Sequence, residues 1–181
     1  MSDAILNTFL EDQVAAGQSL AAQSDLVRFH PLPPLRPGPP DHFVLEYSCK
    51  GLVCDAQGQP REHDRFDVGV WYPPDFLKRA EAPQVLTFLG PRDAFHPNLL
   101  APFICLHIRP GTEITSLMYA LFELFTYQKR TTAHGLNETA CQWARRNKAR
   151  LPIDPRPLKR APNVATSRAT RRPAVAGRRC A

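Results

Sequence analysis

The chain has 181 residues, of which 43% are hydrophobic and 22% charged, so it can bury one sizeable core. This composition excludes a wholly disordered protein. The formal net charge of +6 is unevenly distributed, because residues 145–181 contain 12 Lys or Arg and one acid, whereas residues 1–144 contain 11 Lys or Arg and 16 acids. The larger part of the chain is acidic and its C-terminal part is strongly basic.

The first predicted element is a helix over residues 2–22. Ser2 is a suitable N-cap, and Gly17 weakens the second half. One apolar stripe contains Leu6, Phe9, Leu10 and Val14. Residues 30–40 follow, where repeated proline forbids a helix and predicts an extended connector on the surface.

Three strands are predicted next, over residues 43–53, 65–72 and 84–89. Their β-branched and aromatic content is typical of strands. Residues 55–64 supply turn chemistry between the first two. Short links between consecutive strands favour an antiparallel meander.

The clearest helical pattern covers residues 112–128, where apolar residues recur at three- and four-residue spacing. A last helix is predicted to begin after Asn137, a good cap residue, with Glu138 in its first turn. Residues 151–181 are rich in Pro, Arg and Ala, and we expect them to form a basic, disordered tail.

The sequence gives only indirect evidence about the cellular compartment of the protein. No apolar run reaches the length of a membrane span, and the first residues lack the basic and apolar regions of a secretory signal. The five cysteines are irregularly spaced and make a poor disulfide framework. We therefore expect free thiols in the cytoplasm and no membrane partner.

Five short motifs follow one another in the second half of the chain: Pro83-Gln84-Val85-Leu86-Thr87-Phe88, Phe95-His96-Pro97-Asn98, Ile104-Cys105-Leu106-His107-Ile108, Glu113-Ile114-Thr115 and Asn137-Glu138-Thr139-Ala140-Cys141. In this order and spacing they resemble the ubiquitin-conjugating enzymes. The resemblance implies an α+β domain over residues 1–150, with an N-terminal helix, a four-stranded antiparallel meander and C-terminal helices.

The resemblance also implies a function. Cys105 would accept a ubiquitin-like modifier protein from an adenylating activating enzyme as a thioester, and would pass it to an amine of a protein substrate. Neither a cofactor nor a metal is implied. The alternative is a non-catalytic variant of the same fold that binds a ubiquitin-like protein or another partner, although such variants typically lack the cysteine.

The chain departs from the family pattern at several positions. The loop from Asn98 to Cys105 is one residue shorter than is common, and His107 stands where an acid often lies. The tryptophan usual after the cysteine is missing, and the predicted first helix carries acids instead of Lys or Arg. A divergent, dedicated pathway, such as the ubiquitin-like conjugation operons of bacteria, fits these departures.

Two candidate residues have a structural alternative. Cys105 is either an exposed nucleophile or a buried cysteine between two apolar neighbours, and the nearby Phe95–Asn98 motif favours the nucleophile. Asn98 either donates from its amide to the oxyanion formed when an amine attacks the thioester, or braces the loop through the backbone. The residues leave these two roles of Asn98 equally open.

Three histidines are candidates for proton chemistry. His96 fits a structural role better, with its ring bonded to the backbone of the turn, than a role in proton transfer. His107 and His134 are the candidates to help an incoming amine lose its proton. The alternative for His134 is a solvated loop histidine.

The remaining cysteines and the basic tail suggest further roles. Cys49 and Cys54 lack the two-plus-two spacing of a zinc site with His63, and Cys141 is predicted to lie in the core. Cys180 is predicted to react only with oxidants. The tail either solubilises the chain or docks on an acidic partner, or it binds nucleic acid electrostatically; its lack of aromatic residues for base stacking argues against sequence-selective RNA recognition, and the first two roles are favoured.

Overall fold

The computed structural model describes residues 2–129 and 135–160, excluding the side chains of residues 2 and 3. The described chain is a mixed α+β structure with an N-terminal helix, an antiparallel sheet and helices in its C-terminal part, as the sequence predicts. Within these residues, no helix combines the length and apolar character that a membrane span requires.

Helix α1 spans Ser2–Ala22, which confirms the predicted range. Buried Gln13 accepts a hydrogen bond from the backbone of Ile114 at 2.8 Å, and so ties α1 to the start of a later helix. Gly17 is explained by close packing: a Cβ atom there would lie 2.7 Å from the Phe29 ring. The glycine that weakens the helix allows α1 to lie against the sheet.

The main sheet is antiparallel and has four strands in the order β1-β2-β5-β6. A row of paired residues crosses all four strands, from Phe29 through Leu45 and Val68 to Phe88, and every member is buried in the main core. The strand bounds are Val27–Pro31, His42–Tyr47, Phe66–Trp71 and Leu86–Gly90.

A second hairpin extends β2 and β5 and was not predicted. It consists of β3, Gly51–Cys54, and β4, Pro60–His63. The side chain of Asp55 accepts hydrogen bonds from the backbone of Gln57 and Gln59, at 2.9 and 2.7 Å. This tight turn leaves residues 60–63 paired, so the expectation of turn structure over residues 55–64 is too broad.

Five further elements and a 3-10 helix complete the described chain. Helix α2 is one short turn, and β7 and β8 form a small hairpin. The Asn137 side chain caps α4 by accepting a hydrogen bond from the Ala140 backbone at 3.0 Å, which confirms the predicted cap. The bounds are Ala82–Val85 for α2, Leu99–Leu100 for β7, Phe103–Ile104 for β8, Ile114–Phe125 for α3 and Glu138–Arg146 for α4; a 3-10 helix, Lys148–Arg150, follows.

Residues 151–160 lie against the folded body. Leu158 is buried and its carbonyl accepts a hydrogen bond from the Ser24 hydroxyl. Asp154 is also buried, and its carboxylate accepts bonds from the Lys50 backbone and from the Arg156 guanidinium. The structure therefore differs from the expectation of a disordered tail beginning at residue 151. The tail residues 161–181 lie outside the described residues.

Replacing Asp154 by asparagine is expected to lower the free energy of unfolding by about 2 kcal/mol, since a buried ionic acceptor of several hydrogen bonds is lost. The bonds from Arg156 are the main cause that lowers the pKa of Asp154 to about 2. The contribution of Asp154 is therefore present above the normal aspartate pKa and is lost as the pH falls through about 2.

Urea unfolding at pH 7 measures the effect of Asp154→Asn. The matched control is Asp25→Asn, which removes an exposed ion pair with Arg160 and is expected to change stability little. Equal effects of the two substitutions would contradict the prediction.

Candidate active site

The turn at Phe95–Asn98 is held by the second hairpin and by α3. The Phe95 backbone N–H donates to the Leu52 carbonyl at 2.8 Å, and the Phe95 carbonyl accepts a bond from the Tyr127 hydroxyl. A small core beneath the turn contains Leu52, Phe95, Tyr127, Ala140 and Ala144. The turn is therefore fixed from both sides.

The contact between this turn and the segment before α4 is unusually close. The Asn137 backbone donates to the Pro97 carbonyl at 3.1 Å. A Cβ atom on Gly135 would lie 2.5 Å from that same oxygen and 2.5 Å from the Cys141 sulfur. Only glycine fits at this position without moving the turn.

His96 is only 3% exposed and lies inside the turn. Its Nδ1 accepts a hydrogen bond from the Asn98 backbone at 3.0 Å, and its ring packs edge-on against Tyr127. Burial lowers the pKa of His96 to about 3, partly opposed by the Lys129 backbone. Of the two alternatives for His96, this geometry favours the structural one.

Cys105 is exposed and follows directly after β8. The alternative of a buried structural cysteine is therefore wrong. The backbone N–H of Cys105 donates to the Asn98 carbonyl at 2.8 Å, and the Asn98 side-chain amide donates to the Cys105 carbonyl at 3.2 Å. The amide of Asn98 thus lies against the cysteine backbone as a loop brace.

A surface groove of about 210 Å³ runs beside this cysteine. Its apolar lining comes from Leu106 and from α3, and its polar lining includes His107 and Lys129. The lining residues are Asn98, Cys105, Leu106, His107, Ala120, Leu124 and Lys129. An acyl group on the thiol would therefore have an open surface in which to lie.

His107 is exposed, and its Nε2 accepts a hydrogen bond from Arg109 Nε at 3.0 Å. Because a guanidinium only donates, this hydrogen bond engages the lone pair of Nε2. His107 therefore lies at the groove with the Arg109 guanidinium bonded to its ring. His134, the other candidate for proton chemistry, lies outside the described residues.

Two groove features were missed by the sequence reasoning. Lys129 lies at the groove, and Arg109 holds His107. The spacing of Ala120 and Leu124 by one helical turn indicated that both share one face of α3. No sequence signal indicated that Lys129, beyond the end of that helix, returns to the same surface.

The other described cysteines are poor nucleophiles or inaccessible. Burial raises the pKa of Cys49 to about 12, and Cys141 is fully buried, as predicted. Cys54 is half-buried, and burial is also the main cause that raises its pKa. In the part of the chain that the structure describes, no three His, Cys, Asp or Glu residues cluster as metal ligands. Cys180 lies outside that part.

No protein-family model matches the chain, and no curated protein matches it.

Proposed function

We propose that the chain is a ubiquitin-like conjugating transferase of the ubiquitin-conjugating fold. Its partners are a ubiquitin-like modifier protein, an adenylating activating enzyme and a protein substrate. The observation that carries the proposal is the exposure of Cys105 beside an open groove, with Asn98 bonded to the backbone of the same cysteine. The element order, with a helix before a four-stranded antiparallel sheet, supports it.

The proposed reaction has two balanced steps. First, the Cys105 thiolate attacks the modifier thioester on the activating enzyme, a new C–S bond forms, and the old C–S bond breaks to release the enzyme's thiolate, which takes up a proton. Second, a substrate amine attacks the new thioester, a C–N bond forms, and the Cys105 thiolate leaves. The proton lost by the amine balances the one that the thiolate regains.

A loading assay tests this function directly. The wild-type protein, incubated with ATP and its cognate activating enzyme and modifier, is expected to form a covalent adduct that a thiol reagent releases. Cys105→Ser is expected to lose this labile adduct and to form at most a stable oxyester. Mass spectrometry and a non-reducing gel distinguish the two products.

The matched control for loading is Cys54→Ser, because Cys54 is partly exposed but lies outside the groove. This variant is expected to load like the wild type. Absence of a thiol-labile adduct on folded wild-type protein, or an adduct that survives Cys105→Ser unchanged, would contradict the proposal.

The second candidate function is a non-catalytic module that binds a ubiquitin-like protein. One observation favours it: no carboxylate lines the groove among the described residues, and the lone pair of His107 Nε2 is occupied by Arg109. A described base for an incoming amine is therefore lacking. Binding of a ubiquitin-like protein at equal affinity by the wild type and Cys105→Ser, without loading, would support this function.

A further inference from the structure

The groove beside Cys105 combines an apolar floor with a cationic edge. Leu106, Ala120 and Leu124 supply the apolar part of the lining, here called the floor, and Lys129 and His107 supply polar groups, here called the edge. Arg109 Nε donates to His107 Nε2 at 3.0 Å, so a guanidinium lies next to that ring. A peptide that complements this lining carries an apolar side chain close to an acidic one.

This cationic edge contrasts with the charge of the rest of the folded part. Residues 1–144 contain 16 acids and 11 Lys or Arg, yet none of the acids whose side chains the structure describes lines the groove. The carboxylate of Glu123 approaches Lys129 Nζ only to 4.0 Å, and both side chains are largely solvated. Such a pair is weak in water, so the positive charge of Lys129 remains effective.

The chain's own basic tail does not match the groove. Residues 161–181 contain five arginines and no Asp or Glu, so like charges would oppose its docking there. The occupant must also end at Cys105, because the proposed thioester joins its C-terminal carbonyl to that sulfur. Charge and covalent geometry therefore indicate the C-terminal segment of the incoming modifier.

We propose that this groove selects a modifier whose C-terminal segment carries an acidic residue beside an apolar one. The inference rests on the proposed function and specifies the partner. Lys129 is the specificity-determining residue, since it is the lysine that lines the groove, and Arg109, bonded to His107, adds positive charge. A modifier with a basic C-terminal segment is disfavoured by the same charges.

Synthetic peptide thioesters test the inference without an activating enzyme. Three peptides of one length end in Gly-Gly and differ only in whether Glu, Gln or Arg follows a leucine before the two glycines. Mass spectrometry measures the rate of acylation of Cys105 in the full chain. The Glu peptide is expected to react roughly fivefold faster than the Arg peptide at low salt. The difference is expected to shrink at about 1 M salt, where charges act over roughly 3 Å.

Charge variants identify the residue responsible. Lys129→Glu is expected to abolish or invert the preference, and Glu123→Gln is expected to increase it. Lys148→Glu makes the same charge change outside the groove and is expected to leave the preference unchanged. Equal rates for the Glu and Arg peptides with wild-type protein, or a preference that survives Lys129→Glu, would overturn the inference.

The loading assay separates this inference from the proposed function. Loading by the activating enzyme without any charge preference in the peptide assay would overturn the inference alone. A charge preference that depends on Lys129, together with failure to load, would overturn the conjugating role and leave the specificity of the groove intact.

Discussion

Replacing Asn98 by alanine is expected to slow release of the modifier from Cys105 to an amine by roughly 100-fold, while loading of Cys105 falls much less. A single donor to a tetrahedral oxyanion is worth roughly 3 kcal/mol in the barrier. Asn98 Nδ2 donates to the Cys105 carbonyl at 3.2 Å, so the oxyanion role requires the side chain to leave this bond and turn toward the thioester. Single-turnover discharge of a preloaded thioester to free lysine measures this effect.

A control must separate this role from that of a loop brace. Asn147→Ala removes a similar bond, from a side-chain amide to the Trp143 carbonyl at 2.9 Å, at the far end of α4. It is expected to leave discharge unchanged. If Asn98→Ala lowers loading, discharge and thermal stability in parallel, the brace alone explains the residue, and the oxyanion role is wrong.

Long periodic patterns predicted their elements well. The helix predicted over residues 2–22 matches α1, and Asn137 caps α4 as its residue type indicates, whereas the predicted Ser2 cap depends on a side chain outside the described part. The first strand, Val27–Pro31, could not be predicted in the same way, because a five-residue run that ends in proline carries no clear alternation. It forms because each residue pairs with β2 across the sheet.

Tertiary contacts also explain why residues 151–160 belong to the folded part of the chain. The composition of residues 151–160 is that of a tail, with few apolar side chains. Leu158 is nevertheless buried, and Asp154 accepts hydrogen bonds from the Lys50 backbone and Arg156. A prediction from composition averages over all residues of a segment. The position of this segment depends instead on particular contacts, here the burial of one leucine and the hydrogen bonds of one buried carboxylate.

The candidate site was partly accessible from sequence. The spacing of the motifs predicted that Asn98 and Cys105 belong to one site. In the structure they meet because a short hairpin places the residue before β7 opposite the residue after β8. The positions of Lys129 and Arg109 depend on how α3 packs beside that hairpin, which no local pattern encodes. A backbone bond of the His96 ring within the turn was predicted from the sequence, whereas the packing of Tyr127 against that ring depends on tertiary structure.

His96 is expected to make the protein unstable in mild acid. Its folded-state pKa is about 3, against about 6.5 for an unperturbed histidine. Between these values the unfolded chain binds one more proton than the folded chain, so its stability falls as the pH falls. The loss is up to about 1.4 kcal/mol per pH unit, or about 3 kcal/mol between pH 6.5 and roughly pH 4.

The histidine variants isolate this contribution. His96→Asn retains an acceptor for the Asn98 backbone N–H but cannot titrate, so the variant is expected to be less stable at pH 7 and less sensitive to acid. His30→Asn, at an exposed site, is expected to keep the acid sensitivity of the wild type. Urea unfolding between pH 7 and pH 4 measures the stability of both variants.

Asp154 does not contribute to the stability change over this pH range, because its contribution is lost only below the normal aspartate pKa. If His96→Asn and the wild type lose stability equally on acidification, the buried imidazole is not the titrating group.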